Sequence, residues 1–203
     1  NYAHVDEYAD IALAARSVLE ASAASPGQVL LRGQTISVTQ SSAVLAETTS
    51  TLQPPLPPTT PPISPIASPP ISPPVSPAAN DANANGALPS GLIDIRATDT
   101  VRVSDDSLGP QAPPFHSYLS VDVAPGATGP GGTLAIAADN LQVESGGQLG
   151  ANTFGQGDAG HLNLTVSETV SLRGGSVLGP SGLFTTADVL GSGQAGKLTL
   201  KTG

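Results

Sequence analysis

Two short stretches of the chain carry the spacing of a pyrophosphate cradle. Gly155-Gln156-Gly157-Asp158-Ala159-Gly160 reads G-x-G-x-x-G, and Gly191-Ser192-Gly193-Gln194-Ala195-Gly196, followed by Lys197, reads it again. In a dinucleotide site such glycines close a turn after a strand, and the N-terminus of the next helix meets the phosphates. Asp158 also invites comparison with the calcium-binding repeat G-G-x-G-x-D. A third group, Asp94, Arg96, Asp99, Arg102, Asp105 and Asp106, has the residue types of a carbohydrate-cleaving site, where one carboxyl protonates the leaving group and another activates water or attacks. His4, His116 and His161 are too dispersed for a metal site. What any of these residues does depends on the elements that hold them.

Composition limits those elements. The chain has 203 residues with no Trp, Met or Cys and only 3% aromatics, so burial must come from Leu, Val, Ile and Ala. That favours a thin-walled, repetitive architecture over a compact globule. Without cysteine there are no disulfides and no thiolate metal ligands. No run approaches the eighteen or so apolar residues of a membrane span. A formal charge of −9 repels nucleic acid and anionic membrane. A first residue of Asn1 and the absence of Met lead us to expect an internal fragment or a processed piece.

Internal repetition organises the rest. Gly27, Gly91, Gly132, Gly160 and Gly196 each open the pattern G-x-h-x-h, where h is apolar: Val29/Leu31, Ile93/Ile95, Leu134/Ile136, Leu162/Leu164 and Leu198/Leu200. A second apolar doublet follows nine or ten residues after the glycine: Ile36/Val38, Val101/Val103, Leu141/Val143 and Val170/Leu172. Two kinds of unit alternate. Val38–Thr49 aligns with Val143–Phe154, setting Val44 opposite Leu149 and Ala46 opposite Ala151. Val101–Leu108 aligns with Val170–Val177, and the same offset sets Phe115 opposite Phe184, with five surplus residues after Phe115.

One insertion interrupts the repeat. Pro54–Pro77 holds twelve of the twenty prolines, and proline lacks the N–H that a strand ladder needs. We expect a disordered, proline-rich insertion over 53–90, extended as polyproline II and then flexible, acting as a spacer or stalk rather than a PxxP ligand, since no basic residue occurs between Arg32 and Arg96. The flanking segments 1–52 and 91–203 are expected to carry the repeat. Within 1–26, Ala9–Ser25 reads either as a terminal helix by alanine content or as another strand-bearing unit, with Ile11 aligned on Leu134 and Ala15 on Ala138; the strand reading is favoured.

Period-two alternation makes these segments half-buried strands, with Leu162, Leu164 and Val166 on one face and Asn163 and Thr165 on the other. No convincing helix lies between them. The expected fold is all-β, a right-handed parallel β-helix in which Val29, Ile93, Leu134, Leu162 and Leu198 form one column and Ile36, Val101, Leu141 and Val170 another. The glycine stretches then lead into strands rather than helices, and Leu198 stands where a phosphate loop needs Ser or Thr. They are turns, and nucleotide binding is not expected. Asp158 directly follows Gly157 and its counterpart is Gln194, so it too reads as a turn residue. The acidic and basic group has Asn163, Thr165, Glu168, Ser171, Gly174 and Gly175 as counterparts, which is how solvated positions vary. No catalytic, cofactor-binding or metal-binding residue is assigned.

Residues Gly146–Thr185, "GGQLGANTFGQGDAGHLNLTVSETVSLRGGSVLGPSGLFT", resemble the repeat region of filamentous-haemagglutinin-type exoproteins of two-partner secretion, especially the long cyanobacterial versions, in which "STFGQGxAGxLxI", "VxLxG" and "PSGLFT" recur. The resemblance is strong over 132–203, fair over 91–115 and 27–49, and absent across the insertion. It implies export through an outer-membrane β-barrel transporter and a location that is secreted or at the cell surface. It also implies a structural, adhesin-like shaft without catalysis, whose further partner would be a host, cell-surface or matrix glycan or protein. The alternative is a carbohydrate-binding or carbohydrate-cleaving β-helix, which requires Asp and basic residues to converge on one face.

Overall fold

A computed structural model of the chain describes residues 8–50, 90–105, 116–189 and 191–203. The proline tract and the rest of 53–89 therefore lie outside the described residues, as do His4, Asp106 and Phe115. In chain order the strands are β1 (Ile11–Leu13), β2 (Val18–Glu20), β3 (Gln28–Gly33), β4 (Ile36–Thr39), β5 (Ala43–Leu45), β6 (Leu92–Ala97), β7 (Thr100–Ser104) and β8 (Tyr118–Ser120). They continue as β9 (Thr133–Glu144), β10 (Gln148–Gly150), β11 (His161–Arg173), β12 (Gly175–Ser176), β13 (Gly179–Pro180), β14 (Gly182–Phe184) and β15 (Lys197–Thr202). The fold is all-β, without a helix among the described residues.

Two parallel sheets dominate. The larger runs β1-β4-β7-β9-β11-β15, with β3 and β6 extending it beside β9; the smaller runs β14-β10-β8-β5-β2. Single parallel bridges join Ala23, Thr48, Val123, Thr153 and Ala187 into a third ladder. Successive passages of the chain visit the first sheet, the second sheet and the bridge ladder in the same order. The only antiparallel pair among the described strands is the short β12–β13 hairpin.

Register fixes the core. Val29 pairs with Ile93, Ile93 with Leu134, Leu134 with Leu162, and Leu162 with Leu198. Ile36, Val101, Leu141 and Val170 pair in the same manner. Both expected columns are present. On the second sheet Val44, Leu119, Leu149 and Leu183 line up. Most of these aliphatic side chains form one buried cluster, with Val29, Val170 and Leu183 partly buried against it and Leu198 exposed at its end, each full burial contributing about 1.5–3 kcal/mol. The alternation of nine and ten residues between glycine and second doublet has a structural cause. β11 carries one extra residue against β9 between Val166 and Thr169, a bulge that restores the inward register.

Two alignments are corrected. The N-terminal segment is strand, as favoured, but Ile11–Leu13 pairs with Ile36–Val38, placing Ile11 in the second column rather than beside Leu134. Ala15 and Arg16 then turn the corner between sheets with φ of 55° and 67°, as Gln40 and Ser41 do at 55° and 60°. A helix cannot contain two consecutive left-handed residues. Phe184 pairs with Gly150, which pairs with Ser120, so Phe115 is not its counterpart. The surplus residues fall between Ser104 and Tyr118, ahead of the second sheet, because the pairing resumes at Tyr118.

Candidate functional site

The glycine stretches are built into the contact between passages. A Cβ on Gly160 would strike the carbonyl of Gly132, one on Gly196 that of Gly160, and one on Gly132 that of Gly91. Gly157 and Gly193 repeat this relation three residues earlier, each lying over the glycine carbonyl of the preceding passage, Gly129 and Gly157. Neither stretch opens a helix: they lead into β11 and β15. Asp158 is a turn residue whose Oδ1 accepts the N–H of Gln194 at 2.8 Å. Lys197 and His161 pair across β15 and β11, both exposed on the outer face.

The candidate carbohydrate group divides. Asp94 joins Arg96 and, unforeseen from sequence, Arg32: Arg32 Nη2 lies 2.7 Å from Asp94 Oδ2 and Arg96 Nε 3.4 Å from Oδ1. Asp99 accepts from the Thr100 hydroxyl at 2.9 Å and from Asn140 Nδ2 at 3.4 Å. Arg102 approaches Glu144 at 3.8 Å. Asp105 is buried and accepts from the Ser41 hydroxyl at 3.3 Å. Each described carboxylate of this group has its own neighbours. Among the described residues no group of three or more His, Cys, Asp or Glu is disposed to hold a metal ion. His116 Nδ1 is buried without a hydrogen-bond partner among the described residues.

A polar column at the exit of the second sheet was missed. Ser22, Glu47, Asp122, Asn152 and Thr186 each precede a residue of the bridge ladder. The Glu47 N–H donates to Ser22 Oγ at 3.1 Å, Asn152 N–H to Asp122 Oδ1 at 2.5 Å, and Thr186 N–H to Asn152 Oδ1 at 2.9 Å. Each side chain thus caps a backbone donor of the next passage. The pattern fails between Glu47 and Asp122, where the Asp122 N–H turns to Ser120 Oγ at 3.2 Å. Two carboxylates follow one another at that step. Burial raises Asp122 above the usual carboxylate range, partly offset by the bonds from Asn152 and Ser120. Burial likewise raises Glu47, against a Ser120 hydrogen bond and with repulsion from Asp122 and Glu20. Burial and the same three carboxylates raise the Tyr118 hydroxyl. The signal was present in the alignment of Val38–Thr49 with Val143–Phe154, which sets Glu47 opposite Asn152.

This arrangement braces one passage against the next, and the Arg32–Asp94 ion pair does the same across β3 and β6. No helix among the described residues is long and apolar enough to cross a membrane. The chain matches no family model, no curated protein and no solved structure.

Proposed function

We propose that the chain is a segment of right-handed parallel β-helix serving as the structural shaft of a secreted or surface-exposed, adhesin-like exoprotein, without catalysis. The observation that carries this reading is the parallel register that sets Val29, Ile93, Leu134, Leu162 and Leu198 in one column, although 169 positions separate the first from the last. Stacked passages of this kind grow in one direction and present long solvent-facing walls. The polar groups support the same role: those of the column at the second sheet hold successive passages together. Asp94, the carboxylate nearest to a catalytic arrangement, is engaged by two guanidinium groups, at 2.7 and 3.4 Å.

The resemblance to two-partner exoproteins adds export through an outer-membrane β-barrel transporter. The test is to place the chain behind such a protein's secretion domain, co-express the matching barrel, and assay a tag at the C-terminus with protease on intact cells. Surface exposure together with an elongated scattering profile of the purified chain is the expected result. Retention inside the cell, or a compact profile, would overturn the proposal.

A further inference from the structure

One row on the outer face of the larger sheet gathers cations. Arg32 and Arg96 lie directly opposite one another on β3 and β6, and the same row continues through Ala137 on β9 and Thr165 on β11 to Lys201 on β15. Three of the chain's seven cationic residues thus stand in one line across five strands, a span of about 19 Å at 4.8 Å per strand. Like charges on directly opposed positions destabilise a sheet, and here a single carboxylate, Asp94, answers both arginines. Arg32 is committed, since it also donates to the carbonyls of Leu31 and Asp94 at 2.9 Å. Arg96 is the more open of the two: its side chain is 64% exposed and meets Asp94 through Nε at 3.4 Å. Lys201 is exposed.

Between the cations the floor drops to Ala135 and Ala137, with the polar Asn163 and Thr165 on the next strand. From this row we infer that the outer face of the larger sheet binds an acidic linear polysaccharide, its carboxylates on Arg96 and Lys201 and its hydroxyls on Asn163 and Thr165. The face has no aromatic residue and so lacks the anchors on which protein partners depend. Duplex nucleic acid, with one charge per about 1.7 Å of its axis, is repelled by the net charge of −9 more strongly than a polymer of sparser charge. A polyuronate, with sparser charge and many hydroxyls, suits a line of separated cations over small side chains. The inference rests on the shaft reading only in needing this face open to solvent.

The experiment is retention of the full chain on immobilised polygalacturonate at low ionic strength, beside neutral dextran and poly-glutamate. Expected are retention on polygalacturonate alone, about fivefold weaker binding for the double variant R96Q/K201Q, as for the loss of exposed ion pairs, and stronger binding for T199K, which adds a cation beside the row on β15. Both variants are checked for an unchanged circular dichroism spectrum. Failure to bind polygalacturonate, binding indifferent to these substitutions, or equal retention on poly-glutamate would overturn it. Scattering from the same sample separates the two readings: an elongated particle that is not retained ends this inference and leaves the shaft standing, whereas a retained but compact particle supports the binding face and ends the shaft.

Discussion

At the residue scale the chain depends on how little room exists between passages. Gly160 and Gly27 open equivalent units, yet a Cβ on Gly160 meets the Gly132 backbone, whereas one on Gly27 meets only Ala21 Cβ at 3.5 Å and its carbonyl at 3.8 Å. Gly160→Ala should therefore cost about 1–3 kcal/mol or more through forced separation of strands, and Gly27→Ala should fall within about 0.5 kcal/mol; urea denaturation of both variants measures the difference. The leucine column makes a second comparison. Leu162 is fully buried, but Leu198, one strand further along the same column, is 40% exposed. Leu162→Ala should cost about 2–5 kcal/mol, and Leu198→Ala clearly less, by the same measurement.

At the element scale, the two expected columns of the larger sheet were legible because each leading glycine opens a period-two alternation and, in the first four units, a second apolar doublet follows it at nearly constant distance. Register slips of one residue, as at Val166/Thr169, did not hide them, since the apolar doublets on either side keep their own alternation. The N-terminal segment was harder. Alanine favours a helix, and what decides for strand and sets its register is the left-handed corner at Ala15 and Arg16, which residue type does not announce. The polar column was legible only in retrospect, because its members change chemistry from Ser to Glu, Asp, Asn and Thr while keeping one place. Its irregular step makes a pH prediction. Glu47 and Asp122 both titrate above their ordinary range in the folded state, so the folded chain binds protons more readily than the unfolded one. Their contribution is fully present below the ordinary carboxylate range and is lost as pH rises through the raised values. Asp122→Asn, which repeats the amide of Asn152, should raise the urea midpoint at neutral pH and flatten the pH dependence followed by circular dichroism.

At the scale of the whole molecule, the segment 53–89 is bracketed by described pairings: the Thr49 N–H donates to Ala23 at 2.9 Å and the Leu92 N–H to Gly27 at 3.2 Å. Both flanks belong to the same stack, so replacing 53–87 with a short Gly/Ser linker should leave the β-type circular dichroism intact; its collapse would show that the segment helps to hold the flanks. The central claim is that successive passages pile up in register, and it is most directly tested by a distance. The chain has no cysteine, so Leu30→Cys and Thr199→Cys can carry two spin labels without background. These outward positions share one row through Asp94, Ala135 and Asn163. Stacking predicts a narrow distribution in pulsed electron paramagnetic resonance near 19 Å between backbones, broadened only by the label arms. A broad distribution, or one centred beyond about twice that value, would contradict it.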